Sequence, residues 1–461
     1  MLDATLSRID NEMEQNLKRL FDFLKIKSIS TDPHFNKDCA KAADWLVEDL
    51  RSFGVTAQKY ETSGHPIVQG CLGPNTGLHV LFYGHYDVQP VDPLELWDND
   101  PFEPVVEELP GGSVIRGRGS SDDKGQLMTF VEACRAWVAQ NGFLPFKVTF
   151  FFEGEEESGS PSLVPFMKKH KNEISSDIVL ICDTGLFESR VPSIVTQLRG
   201  ILKEEITIVG PNKDLHSGMY GGISTNPAKV LANVLSALHD NDGAVAIPNF
   251  YDGVPELTRN INDQWRSLNF NHNHFLGEVG LSTPAGELDR SPLEMLWSRP
   301  TCEINGIKSG YIKEGFKTVL PSQATAKISF RLVGNQDPFK IRNSFRNMVQ
   351  NLLPTDCKVS FEEHEASKAS QMDTSAPEFE MAREAISQEW EIEAAFIGCG
   401  GSIPIAGYFQ QITGVDPMLI GFAKDDDQIH SPNEKYDLES FRKGIRAWVR
   451  IINSFSGLQN V

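Results

Sequence analysis

Apolar residues along the first stretch of the chain recur at helical spacing, in blocks separated by short unbroken apolar runs. Leu20, Phe21, Phe23 and Leu24 share one face of a helix, and so do Ala43, Leu46 and Leu50. The runs at 79–83, 146–152 and 177–182 have strand length and read as buried strands. Between them, "GQLMTFVEACRAWVAQNG" carries Leu127, Val131, Cys134 and Val138 as a core stripe and stops at a glycine, the signature of a terminated helix. The last stretch repeats this texture, with a helix in "EFEMAREAISQEW", a strand in "PMLIGFA" and a closing helix in "LESFRKGIRAWVRIINSF". Strands alternating with helices predict an α/β fold, a mixed sheet with helices on both faces.

The middle has another order. "ILKEEITIV" reads as a strand and "NPAKVLANVLSALHD" as a helix. Strands follow near "TCEINGIKSGY" and "ATAKISFRLV", then a helix in "DPFKIRNSFRNMVQNLL" and a strand in "CKVSFEEH". The order β-α-β-β-α-β is the ferredoxin-like plan. The sequence therefore predicts a catalytic domain in two parts, 1–199 and 372–461, around an inserted α+β domain at 200–371. The excursion at 241–300, rich in Pro, Asn and Trp, predicts no definite element.

The formal net charge of -20 narrows the partners. It excludes nucleic acid and anionic membranes, both of which select basic surfaces. The seven cysteines are scattered and odd in number, which suits a reducing cytosol better than a disulfide scaffold. The N-terminal stretch is charged throughout, without a signal-peptide core, and no apolar run reaches bilayer length. A cytoplasmic protein is expected.

Reactive side chains gather directly after the apolar runs. "GHYDVQP" follows the first, "EGEEESGS" the second, "DTG" the third, and "AKDDDQIHSPNE" follows "PMLIGF". The carboxyl ends of strands in an open α/β sheet are where ligands bind. His85 and Asp87 lie two apart, so an extended chain turns both to one side. Each residue alone has an ordinary reading. His85 fits a satisfied core histidine, Asp87 and Asp183 fit turns, Asp122 and Asp123 fit an N-cap, Glu155 to Glu157 fit a solvated loop, and His430 fits the surface. Together they form a nitrogen and oxygen donor set suited to zinc, manganese or cobalt. A bridging carboxylate would seat two ions, an arrangement used for hydrolysis. Without cations, so many acids in one crevice would repel and protonate. The glycine-rich "GRGSSDD" lacks a third glycine and follows no clear strand, so a dinucleotide fingerprint is excluded.

"GHYDVQP", "GRGSSDDKG", "EGEEESGS", Asp183, "KDLHSGMYGG" and "DQIHSPNE" occur in an order that resembles the dinuclear metallopeptidases. These include aminoacylase, the glutamate carboxypeptidases, succinyl-diaminopimelate desuccinylase and the carnosine and cytosolic nonspecific dipeptidases. The resemblance spans nearly the whole chain. It is closest to the dipeptidase branch through "DLHSGMYGG", "KTVLP" and "GGSIPIA". It implies that His85, Asp122 and Asp183 hold one ion and Asp122, Glu157 and His430 the other. It also implies a cis peptide between Asp122 and Asp123. Asp87 then orients the His85 ring, and Glu156 is the general base that takes a proton from water and returns it to the leaving amine.

By the same resemblance the inserted domain is a lid through which two chains dimerise. His216 would reach the partner's active site and stabilise the developing oxyanion. Arg331 would clamp a substrate carboxylate, with Thr318, Gly401 and Ser402 as further substrate contacts and His364 as a weaker candidate. On the residues alone, His216 fits a loop, Arg331 a surface strand and "GCGGS" a tight turn. One position departs from the carnosine dipeptidases, which carry a glutamate before "GGS"; here it is Cys399. An acid there could pair with a free substrate amine. Cys399 as a nucleophile is disfavoured, since no histidine lies near it in sequence. The expected activity is hydrolysis of an amide bond in a small substrate with a free carboxylate, first a dipeptide. An N-acyl-amino-acid deacylase is the alternative, and a non-catalytic binding homologue is the alternative of another class.

Overall fold

The computed structural model describes residues 1–401 and 403–460. The chain forms two compact units, one of residues 1–196, 372–396 and 408–461, the other of residues 197–371 and 397–407.

The first unit is built on a mixed sheet. Its order is Thr56–Tyr60, Ile67–Leu72, Lys147–Glu153, His79–His85, Ile178–Ile181 and Pro417–Ile420, followed by the start of Ser193–Leu198. The strands Lys147–Glu153, His79–His85, Ile178–Ile181 and Pro417–Ile420 are mutually parallel, and the flanking pairs are antiparallel. Parallel strands are covered on both faces, so they read as continuous apolar runs rather than alternating ones. Val80, Leu81, Phe82 and Tyr83 are accordingly all buried. The outer antiparallel strands are weakly patterned, and the chain's polar residues hide them from a periodicity reading.

The Lys124–Asn141 helix crosses this sheet and ends where Gly142 takes φ 83° and returns its N–H to the Val138 carbonyl. Its expected stripe is too narrow. From Lys124 to Cys134 every residue is buried, because helices Leu2–Asn11, Met13–Leu24 and Leu438–Phe455 also pack on it. Phe130 stacks on Phe82 at 3.9 Å between ring centres and meets the edge of Trp448 at 5.4 Å. This packing fixes the N-terminus of the helix, just after Asp122 and Asp123, against the ends of the parallel strands.

The second unit has an antiparallel sheet in the order Thr301–Ser309, Gln323–Leu332, Gly200–Val209 and Lys358–Ser367. With helices Pro227–Ser236 and Pro338–Asn351, its chain order is β-α-β-β-α-β. Ala324, Ala326, Ile328, Phe330 and Leu332 alternate into the core, and Thr325, Lys327, Ser329 and Arg331 occupy the other face. Both helices begin with Pro at the first turn behind an Asn226 or Asp337 cap. The 241–300 stretch holds definite elements after all, the short helices Arg259–Ser267, His272–Gly277 and Pro292–Trp297. Their caps are Thr258, Asn271 and Ser291, the last in a reciprocal box with Glu294. Their apolar stripes are too short to show as a period.

Candidate active site

The four parallel strands deliver the reactive residues. His85 closes its own strand; Glu155, Glu156 and Glu157 follow Lys147–Glu153; Asp183 follows Ile178–Ile181; and the loop after Pro417–Ile420 leads to His430. Asp122 comes from the turn before the Lys124–Asn141 helix, and its peptide bond to Asp123 is cis.

Two groups of donors converge, one of His85, Asp122 and Asp183, the other of Asp122, Glu157 and His430. Asp122 belongs to both. Its Oδ1 lies 3.0 Å from His85 Nε2 and its Oδ2 lies 2.9 Å from His430 Nε2. His430 Nε2 is also 3.3 Å from Glu157 Oε2. Within each group the donor atoms lie within 4.8 Å of one another. Glu157 Oε1 is buried with no hydrogen-bond partner. Burial and the neighbouring Asp122 push the Asp183 carboxyl well above its ordinary range. One orphaned carboxylate oxygen, crowded like charges and two imidazoles make a set that divalent ions of the zinc, manganese or cobalt type would satisfy.

Asp87 does something different from orienting His85 alone. His85 Nδ1 is nearer to the backbone carbonyl of Asp87, at 3.1 Å, than to its carboxylate, at 3.4 Å. The Asp87 carboxylate accepts instead from the backbone N–H groups of Glu156, at 3.2 Å, and Glu157, at 3.0 Å. A buried carboxylate draws as many donors as reach it, so Asp87 ties the His85 strand to the acidic turn. Glu155, the first acid of that turn, points away and accepts from the N–H groups of His65 and Ser162. Glu156 alone of the three keeps a carboxylate without a hydrogen-bond partner among the described residues. Burial is the main cause that pushes it up to about 7.

Sequence reading overlooks the residues that hold the Asp122 turn in place. Glu434 is fully buried and accepts from the N–H groups of Gly119, Ser121 and Asp122 and from the Arg118 guanidinium. Asp427, also fully buried, accepts from Ser121 Oγ and from Lys435 Nζ. These carboxylates join the Asp122 turn to the His430 loop, where Gln428, His430 and Asn433 all take positive φ. Such backbone persists where surrounding contacts over-determine it. The nearest signal in the sequence is the acid-rich stretch around His430, which says nothing of which acids turn inward.

In the second unit, His216 pairs with Val319 in a short antiparallel ladder, and the Ser217 N–H donates to the Thr318 carbonyl. His216 is exposed, and its Nδ1 accepts from the Gly218 N–H at 3.0 Å, which leaves the proton on Nε2. Arg331 is half-buried with no ion-pair partner among the described residues. The Gly401 carbonyl accepts from the Arg199 N–H, and the Gly401 N–H faces Cys399 Sγ. Ser402 lies outside the described residues. His364 sits with Glu205 and Glu362 in a separate, mostly exposed group on the sheet.

The two donor groups could each hold a metal ion, and known proteins are similar to this chain. The model of peptidase family M20/M25/M40 matches residues 81–454. The chain belongs to this family. The Cys-Gly metallodipeptidase of Candida albicans is 30% identical over 464 residues, 96% of this chain and 95% of that protein. The Beta-Ala-His dipeptidase of Homo sapiens is 27% identical over 481 residues, 97% and 91% of the two chains. The crystal structure of an M20 family metallo-carboxypeptidase from Sulfolobus solfataricus matches with a TM-score of 0.79 at 30% identity, covering 96% of this chain and 99% of that one. This M20 peptidase is therefore a hydrolase, and the Cys-Gly and Beta-Ala-His dipeptidases among its relatives match the dipeptidase branch that the motifs pointed to.

Proposed function

We propose that this M20 peptidase is a metal-dependent dipeptidase that cleaves an amide bond beside a free carboxylate. The observation that carries the reading is the pair of donor groups sharing Asp122, with the unpartnered Glu156 carboxylate beside them. His85, Asp122 and Asp183 would hold one divalent ion, and Asp122, Glu157 and His430 a second. Zinc is the first candidate, with manganese and cobalt as alternatives. When bound, the ions lower the proton affinity of water and polarise the scissile carbonyl. Glu156 takes the proton and passes it to the leaving amine, a task for a carboxylate whose proton affinity lies near neutrality. His216, with its proton on Nε2, donates to the developing oxyanion, and Arg331 binds the substrate carboxylate. Residues 200–371 act as the lid and dimerisation domain, and His216 serves the partner subunit's site. No described helix is long and apolar enough to cross a membrane; the scattered cysteines support a cytoplasmic enzyme.

The test is a substrate panel on protein reconstituted with zinc, manganese or cobalt. Dipeptides should turn over faster than N-acetyl and N-succinyl amino acids. Strict preference for the acylated compounds makes the protein a deacylase, and no turnover with any of the ions favours a binding protein.

Metal affinity should depend steeply on pH. Hydrogen bonds to Asp122 first, and then to Glu157, push the metal-free His430 imidazole up to about 10. Burial opposes protonation of His85, yet its bonds to Asp122 and Asp87 raise it well above the ordinary value. Both shifts favour the protonated rings in the metal-free protein, and each ring must lose its proton to bind an ion. Affinity should thus rise with pH from about 6 to about 8, by up to about tenfold per unit for each proton released. Competition with a chromophoric chelator measures this, and a flat profile contradicts it.

A further inference from the structure

The chain that leaves the His79–His85 strand keeps alternating after the strand ends. Tyr86 and Val88 are fully buried. Val88 packs with Ile29 and Phe102, and its N–H donates to the Ser28 carbonyl at 3.0 Å. His85, Asp87 and Gln89 occupy the intervening positions, and each meets a group of the site. His85 belongs to the first donor group, and the Asp87 carboxylate accepts from the N–H groups of Glu156 and Glu157. Gln89 donates from its Nε2 to Glu157 Oε2 at 2.6 Å.

That last bond decides how Glu157 is held. An ionised carboxylate only accepts, so the Gln89 amide turns its NH2 towards it. The Glu157 side chain is 4% exposed, and a hydrogen bond sheltered from water is stronger than an exposed one. Asp87 fixes the Glu157 backbone and Gln89 fixes its carboxylate, which leaves Oε1 buried and without a hydrogen-bond partner. Glu157 Oε2 also faces His430 Nε2, but at 3.3 Å and on a side chain that is 55% exposed. Gln89 is itself restrained on both sides. Val88 before it bridges to Ile29, and the Pro90 carbonyl after it accepts from Arg118 at 2.9 Å. Arg118 is paired in turn with Glu434, the acceptor for the Asp122 N–H. A donor on so fixed a backbone can set the rotation of a carboxylate. A surface glutamine in incidental contact would share none of these restraints.

We propose that Gln89 is the positioning residue of the second donor group: its amide fixes the rotation of the Glu157 carboxylate and thereby sets the affinity of that group for a divalent ion. The segment from His85 to Gln89 then serves both groups, with a donor for one at its start and the holder of a donor for the other at its end. Loss of a side chain that orients a metal ligand typically costs about 10–100-fold in affinity. The proposal rests on the reading that Asp122, Glu157 and His430 hold a second ion, and not on the choice of substrate.

Zinc titration of the full chain, first stripped of metal with a chelator and then followed by calorimetry, tests it. The unaltered protein should show two binding events per chain. His430→Ala removes a donor of the second group alone and so marks that group's event. Gln89→Met keeps an unbranched side chain of similar length and removes the N–H donor. It should weaken the marked event about 10–100-fold, with the other event and the melting temperature of the metal-free chain unchanged. Dipeptide turnover by this variant should fall at limiting zinc and recover as zinc is raised, which a disrupted fold would not allow. Two events of unaltered affinity in Gln89→Met overturn the proposal. Equal weakening of both events, or a lower melting temperature of the metal-free chain, makes Gln89 a structural residue and overturns it too. A single event in the unaltered protein removes the two-ion reading and the proposal together. The expected loss in Gln89→Met with no dipeptide cleaved by the unaltered protein upholds the proposal and removes the dipeptidase reading alone.

Discussion

Replacing Glu156 by Gln should lower kcat by about 10²–10⁴-fold while metal content stays at the unaltered level. The amide keeps the shape of the side chain and removes its ability to take a proton. Glu156 bonds to the rest of the site through its backbone N–H, which Asp87 accepts at 3.2 Å, so the substitution leaves the turn anchored. The carboxylate must be ionised to act, so activity should rise with pH through its ionisation. Burial sets that near 7 without metal, and bound cations would lower it. The acidic limb of the kcat/KM profile should vanish in Glu156→Gln. Full activity in this variant would remove Glu156 as the base; loss of metal along with activity would make it a ligand instead. Mixing Glu156→Gln with His216→Ala should restore some turnover if each site borrows His216 from a partner. No recovery means a self-contained subunit.

Glu434→Ala should lower unfolding free energy by about 3–5 kcal/mol, the cost of leaving a buried charge without its partner. Arg118 would lose the carboxylate that it meets at 2.8 Å in a site closed to water. The N–H groups of Gly119, Ser121 and Asp122 would lose their acceptor in the same step. Since those amides fix the turn that presents Asp122, metal affinity should drop even under conditions where the protein stays folded. Glu434→Gln retains an acceptor and should fall between Ala and the unaltered chain. Urea unfolding and metal titration of both variants check this. An alanine variant within about 1 kcal/mol of the unaltered protein, with normal metal affinity, would contradict it.

The contrast between Glu156 and Glu434 marks where sequence reading reaches and where it stops. His85, Asp122, Glu157 and Asp183 stand at the ends of apolar runs or before a helix, and His430 on the loop that follows one, and an open α/β sheet gathers such positions at one edge. Buried parallel strands impose a continuous apolar pattern that is hard to miss, and the ferredoxin-like order shows by alternation. The antiparallel strands Thr56–Tyr60 and Ile67–Leu72, and the short helices of the 241–300 stretch, are too short or too polar to impose a period.

Which residue types gather as candidate donors was thus legible in the sequence itself, through their placement after predictable strands and before a helix. Which acids turn inward to hold that chemistry was decided only by tertiary structure. Asp427, Glu434 and the Asp87 carboxylate find their donors on segments remote in the chain, from Asp87 to Glu157 and from Glu434 to Gly119. The inward orientation of a carboxylate depends on the N–H groups that packing brings to it, and no local pattern encodes a partner 70 to 315 residues away. The same holds for Arg199 and Arg331, which only the fold of the second unit brings to one cavity.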